Sequence, residues 1–201
     1  GGRTCEEAVA LAKENPGLQV GLHLTLLQGR AVSPPESVPG LVDQEGNFPI
    51  DPTLTGMRYF FRRSLRRQLC REIEAQIIRF RETGLSLSHL DGHLNIHMHP
   101  TVFAILAELM PKYGITSFRL TREDPARDPG NDGTRRFGRR LDAFIFARLA
   151  GHCRPVLERL GIFHADEVKG LLNSGMMTED YLLKVLDCLG DGCTEIYFHP
   201  G

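Results

Sequence analysis

Four of the eight histidines fall within eleven residues, in the run Ser88-His89-Leu90-Asp91-Gly92-His93-Leu94-Asn95-Ile96-His97-Met98-His99-Pro100. Imidazole and carboxylate are ligands that divalent metals accept, and imidazole is the usual general acid or base near neutral pH. One or two histidines here would read as an ordinary loop; this cluster reads as a metal or catalytic site. Two further strand-like segments also end in histidine, Gln19-Val20-Gly21-Leu22-His23 and Glu195-Ile196-Tyr197-Phe198-His199. In a parallel arrangement all three tips point to the same end of the sheet, where α/β folds keep their chemistry.

The spacing also excludes alternatives. There is no HExxH helix motif, no GxSxG elbow, no Walker A loop and no GxGxxG after a strand. His93 and His97 are four apart and could share a helix face, but Gly92 and Pro100 favour an extended tip. That sets His97 and His99 apart from the strand-tip group. The alternation of Leu87, His89, Asp91 and His93 puts these four on one side of the strand.

The elements that must position these residues alternate between strand and helix. Thr4 to Glu14 reads as a helix, with Thr4 as N-cap and Asn15-Pro16-Gly17 as its stop. Leu18 to Leu26 reads as a short buried strand. A Pro/Gly-rich loop from Gln28 to about Thr55 has the length of a functional loop or lid. Met57 to Glu82 is periodic in the helical manner, with Leu65, Leu69, Ile73, Ile77 and Phe80 spaced by four and three. Pro100 opens a helix that Gly114 closes. Ile115 to Leu120 reads as a strand, Thr121 to Gly138 as a polar loop, and Leu141 to Leu160 as a helix broken before Pro155. Gly161 to Phe163 is a brief strand candidate. Thr178 caps a helix through Leu189, and Thr194 to Phe198 is the last strand. The alternation predicts βα units in a parallel sheet or barrel.

Composition narrows the class. A chain of 201 residues is enough for a single domain, and 41% of it is hydrophobic with no run long enough for a transmembrane helix. The net charge of −1 creates no field for nucleic acid. Five scattered cysteines without a CxxC pair argue against a disulfide framework or zinc knuckle and make a reducing cytoplasm the expected compartment. No signal peptide is visible. Gly1-Gly2-Arg3 runs straight into helical sequence and the chain ends at a strand tip, so sequence missing at one or both ends is expected.

Arginines outnumber lysines twenty to four. Arg58, Arg62, Arg63, Arg66, Arg67 and Arg71 flank Tyr59, Phe60 and Phe61. This run reads either as a solvated helix face whose arginine stems cover apolar surface, or as a peripheral contact with an anionic membrane. Arg135, Arg136, Arg139 and Arg140 form a second such cluster.

Gly21-Leu22-His23-Leu24-Thr25-Leu26, His89-Leu90-Asp91-Gly92-His93 through His97-Met98-His99-Pro100, and Glu195 through His199-Pro200 resemble the blocks of the YdjC-like carbohydrate deacetylases. Phe118-Arg119-Leu120-Thr121-Arg122 is a weaker fourth block. Met57-Arg58-Tyr59-Phe60-Phe61-Arg62 and the Pro-rich loop before it resemble the branch associated with hopanoid biosynthesis, whose members act on an N-acetylglucosaminyl hopanoid lipid. The resemblance implies an α/β fold, a distorted (β/α) barrel over residues 1–201, incomplete at the N-terminus. It implies one divalent metal ion, Mg²⁺ or Zn²⁺, held by His23, His93 and an aspartate. The family's Asp-Asp motif would lie upstream of Gly1, and nothing in this chain replaces it. Asn95 also stands where many members carry histidine.

The implied reaction is removal of an N-acetyl group from an amino sugar, in a chitooligosaccharide or a glycolipid. His199 would protonate the departing amine, Asp91 would orient His93 or another histidine, and Arg119, Arg122 and His97 would contact substrate. Two rivals remain. A metal-dependent phosphoesterase could use Arg119 and Arg122 against phosphoryl charge. A non-catalytic glycolipid-binding module would need no upstream aspartate. A homodimer is compatible with all three readings.

Overall fold

The computed structural model describes residues 4–129 and 136–199, with the backbone alone at 136 and 137. The chain divides after Phe118 into two units, each built around its own pair of parallel strands.

The first unit contains α1 (Cys5–Glu14), β1 (Leu22–Leu24), α2 (Pro52–Phe61), α3 (Arg66–Arg81), β2 (Leu90–Gly92) and α4 (Pro100–Tyr113). Local chemistry sets the helix ends. Asp51 accepts a bond from Leu54 N at 2.9 Å and Pro52 occupies the first turn of α2, so one orphan N–H is capped and another is absent at Pro52. α4 opens on Pro100 and closes on Gly114, which takes the left-handed φ of 68° that a side chain would resist. α3 packs on β1 and α4. Its Leu69, Ile73 and Ile77 are fully buried, as are Val102, Ile105 and Leu106 of α4. Truncating Ile73 to Ala would cost about 2–5 kcal/mol through lost burial and the cavity left behind.

β1 and β2 pair in parallel with Leu22 opposite Leu90, His23 opposite Asp91 and Leu24 opposite Gly92. Phe118 adds a single parallel bridge to Leu90, where the sequence suggested a strand from Ile115 to Leu120. The helix expected over Met57–Glu82 is two helices. Arg62, at φ −93° and ψ 86°, breaks it, and a 3₁₀ turn at Arg63–Leu65 leads into α3. The reason is visible in burial: Tyr59 and Leu65 are the successive core anchors, and a spacing of six leaves the three-and-four rhythm of one helix.

The long loop after β1 is pinned to α3. Glu72 carboxylate oxygens accept from Val32 N and Ser33 N, both at 2.9 Å, and Gln68 accepts from Gly40 N at 2.7 Å. The loop's own Val38, Leu41 and Phe48 are buried. This is a fixed wall, in place of the lid its length suggested.

The second unit contains α5 (Arg136–Arg159), β3 (Glu167–Lys169), α6 (Glu179–Asp187) and β4 (Thr194–Ile196). β3 pairs in parallel with β4, Val168 opposite Glu195. β3 is too short and too charged to have stood out in the sequence. α5 runs through Pro155 without a break, and the carbonyl that Pro155 cannot bond belongs to Gly151, which is exposed to solvent. Thr178 caps α6 by accepting from Tyr181 N at 3.3 Å. A buried polar network ties this unit: Asp128 Oδ1 accepts from Asn173 Nδ2 at 2.9 Å and from the Tyr181 hydroxyl at 3.0 Å, and Arg139 donates to Asn173 Oδ1 at 2.8 Å.

Candidate active site

In a parallel pair, residues in register project to the same face. The register therefore sets His23 and Asp91 side by side, and Asp91 Oδ1 lies 2.9 Å from His23 Nδ1. Asp91 is 6% exposed, while the His23 side chain is 47% exposed. A buried carboxylate thus fixes the orientation of an imidazole that faces outward. The sequence offered His93 or another histidine as Asp91's partner, and the ring at its Oδ1 is that of His23.

His93 follows directly after β2, and its ring meets that of His23 edge to face with centroids 5.8 Å apart. His93 Nε2 lies 3.2 Å from Gln28 Oε1. The Gln28 amide also donates to Ile50 O at 2.9 Å. Among the described residues three non-glycine residues have positive φ: Gln28 at 51°, Leu94 at 47° and Asn95 at 57°. One touches His93 and the other two follow it. Strained backbone of this kind persists where the surroundings over-determine it, typically at functional sites.

The run His93–Met98 is a 3₁₀ segment kinked at Leu94 and Asn95. His97 is fully buried, its ring 5.0 Å from that of Phe118. A Cβ at Gly92 would sit 3.0 Å from His97 Nδ1, so glycine lets the strand tip lie against this ring. The ring expected to touch substrate is therefore packed behind the strand tip. His99 faces α2: its Nε2 lies 3.0 Å from Gly56 O, and burial holds its pKa below the usual histidine value.

The donor set can be tested against the implied metal. With metal–nitrogen bonds of about 2.1 Å, two imidazoles on one ion keep their centroids within roughly 6.6 Å. The 5.8 Å separation of His23 and His93 meets that limit. The carboxylate on His23 Nδ1 is the partner that metal-bound imidazoles usually carry. Among the described residues, no group of three His, Cys, Asp or Glu converges to complete a site. The spacing of the two rings is compatible with part of a metal site.

The cleft in front of these rings has a volume of about 1180 Å³. Its lining includes the polar residues His23, Thr25, Gln28, Arg30 and His93 and the apolar residues Val20, Leu22, Phe80 and Leu85. Gln76 of α3 bonds both backbone groups of Thr25, accepting from its N–H at 3.0 Å and donating to its carbonyl at 2.7 Å. That amide imitates a neighbouring strand and holds the end of β1. Gln28 and Gln76 escaped the sequence reading because glutamine carries no motif; Gln28's nearness to His23 was the one available signal.

The remaining expected residues lie in the second unit. Arg119 donates through Nε to Glu195 Oε1, and its guanidinium sits 4.6 Å above the Tyr197 ring. Its side chain is only 13% exposed. Arg122 is exposed and lines a small cleft of about 280 Å³ shared with Asp124, Asp166 and Glu167. His199 is exposed just beyond β4, its ring 6.0 Å from that of Tyr197. Phe198, next to it, is 56% exposed.

A carbohydrate deacetylase of Geobacillus stearothermophilus is 30% identical over 197 residues, covering 97% of this chain and 62% of that protein. A chitooligosaccharide deacetylase of an Enterobacter species is 29% identical over 135 residues, covering 61% of this chain and 46% of that protein. The chain thus spans about three fifths of the length of the Geobacillus relative. A crystal structure from Enterococcus faecalis, provisionally named a cellobiose-phosphate cleavage protein, superposes with a TM-score of 0.67 at 22% identity, over 98% of this chain and 66% of that one. That likeness supports a shared mixed α/β fold. The model of the YdjC-like protein family matches residues 1–201, with the paired strand tips of His23 and His93 inside the matched span, and the chain belongs to that family.

Proposed function

We propose that this chain belongs to an enzyme that removes the acetyl group from an N-acetylated amino sugar, with His23 and His93 holding a divalent ion. The observation that carries the reading is the His23–Asp91 pair beside His93, two imidazoles at adjacent parallel strand tips with one braced by a buried carboxylate. The names of the relatives support the substrate class. In the same reading the chain is part of a distorted (β/α) barrel, which the parallel pairing within each unit supports. Mg²⁺ and Zn²⁺ both remain compatible with the ligand types. A chitooligosaccharide and an N-acetylglucosaminyl hopanoid are the two substrates proposed.

A bound divalent ion would polarise the acetyl carbonyl and lower the pKa of an attacking water. The protein's own work is positional and protonic. Asp91 holds the His23 ring at Nδ1, so Nε2 is the nitrogen that would face a bound ion. Gln28 steadies His93 in the same way. The resemblance assigns the third donor and base to an aspartate in sequence preceding Gly1. His199 is assigned the proton that the leaving amine needs, because an amine anion is far too basic to depart alone.

The phosphoesterase alternative finds less support. It needs free cationic charge, and Arg119 is matched by Glu195 while Arg122 borders Asp124, Asp166 and Glu167. Incubating the protein at its full natural length with N-acetylglucosamine oligomers and with sugar phosphates separates the two. Acetate release that disappears in His23→Ala and His93→Ala, together with metal loss by elemental analysis, is the expected result. Phosphate release without acetate release would overturn it.

A further inference from the structure

α2 is amphipathic in the wrong sense for a helix that faces only water. Its inner face buries Tyr59 and Thr55, each 1% exposed. On the opposite face Leu54, Met57 and Phe61, spaced by three and four, are 65%, 54% and 71% exposed, and Phe60 beside them is 53% exposed. Single exposed apolar residues are ordinary; a continuous stripe on one helix marks an interaction surface.

The border of the stripe is cationic. Arg62 and Arg63 follow Phe61 directly, and Arg67 stands one turn into α3. All three are exposed and none pairs with a carboxylate among the described residues. Arg66 and Arg58 are engaged elsewhere, with Glu108 and with Gly40 O. The one carboxylate on the helix is Asp51, which caps its N-terminus at the far end. We infer that α2 and the arginine turn after it dock on an anionic lipid bilayer, the apolar stripe entering the interface and Arg62, Arg63 and Arg67 meeting the headgroups. Bulky apolar groups bordered by unpaired arginines, with no acidic residue among them, are the complement of a negatively charged membrane surface.

The placement gives docking a use. Gln28 bonds the carbonyl of Ile50, itself 77% exposed at the foot of α2, and its other amide atom faces His93. The docking face thus begins one side chain away from the candidate site. The surface itself stands on exposure and charge; only its role in presenting a lipid-anchored amino sugar rests on the deacetylase reading.

Cosedimentation with phosphatidylcholine vesicles, with and without phosphatidylglycerol, tests docking independently of activity. Binding to the anionic vesicles, weakening as salt rises, is expected. Phe60→Ser with Phe61→Ser should abolish it. Arg62→Glu with Arg63→Glu should weaken it at least roughly 25-fold, at about fivefold per arginine removed. Melting curves establish that these variants fold. The chain has no tryptophan, so Phe61→Trp adds a sole reporter whose emission should be quenched by brominated lipid. Absence of vesicle binding, equal binding by the variants, or an unquenched tryptophan reporter each overturns the proposal. A dimer that the phenylalanine variants dissociate, without vesicle binding, would assign the face to a second copy and overturn it equally.

Discussion

Asp91 and His23 stand 68 positions apart in sequence and 2.9 Å apart in space, joined by the parallel register that sets them opposite each other. The carboxylate is buried and the ring is half exposed, so the ring's outward nitrogen is aimed by a group that solvent does not reach. Asp91→Asn keeps an oxygen acceptor and removes the charge. It should lower metal affinity or activity about 10–100-fold, the usual cost of losing such a partner. Metal titration and acetate release measure it, with His23→Ala as the full-loss reference. Equal metal affinity in parent and Asp91→Asn would make the pair a packing contact only.

Leu94 carries φ of 47° directly after His93 and is half exposed. A β-branched side chain tolerates this conformation poorly, so Leu94→Val should destabilise by about 1–3 kcal/mol. Leu94→Gly, free of the steric penalty, should cost much less or stabilise. Urea denaturation of the two variants checks the order, and the reverse order would remove the claim of strain at this tip.

His199→Ala should leave metal content unchanged and lower kcat about 10²–10⁴-fold, as expected for loss of a positioned acid. An activated aryl ester, whose leaving group needs no proton, should lose much less. Loss of metal, or equal loss on amide and ester, would end its assignment as the acid.

Stability should depend on pH through half-buried His99 and buried Glu123, with opposite signs. His99 has its pKa lowered, chiefly by burial, from the ordinary value of 6.5. The unfolded chain takes up this proton first as pH falls, so the stability present above about 6.5 is lost on acidification toward the folded value, with a slope of at most about 1.4 kcal/mol per pH unit. His99→Gln should flatten that slope. Glu123, 2% exposed, has its pKa raised, chiefly by burial, from 4.5. Oε2 accepts from Leu172 N at 2.9 Å while Oε1 has no hydrogen-bond partner among the described residues. Its contribution is full below the unfolded value and is lost as pH rises through the folded one. Glu123→Gln should remove that loss and leave the protein at least as stable at neutral pH. Urea midpoints from about pH 5 to 8 measure both, and unchanged slopes in either variant would contradict the assignment.

The sequence by itself determined what depends on neighbours in the chain. Pro100 and Gly114 bound α4 because one lacks an N–H where none is needed and the other accepts a left-handed turn. Thr178 caps α6 through its own hydroxyl. The histidines at the ends of strand-like runs could be read as a site because imidazole is scarce and its alternation with apolar residues is local. The family blocks around His23 and His93 were legible for the same reason.

Tertiary structure decided everything that depends on which strand lies beside which. Register, set by the burial of Leu24 and Leu90, chose His23 as Asp91's partner. It also left Gln28 between His93 and Ile50, a link that no spacing encodes because glutamine is equally at home on any surface. His97 and His93 are the same residue four positions apart, yet the kink at Leu94 and Asn95 sends one ring into the core and leaves the other at the cleft. Likewise nothing local separates Tyr59 from Phe60 and Phe61, yet the first is 1% exposed and the other two are 53% and 71% exposed. A residue's type sets what it can do; the long-range contacts that bury or expose it set whether it does so.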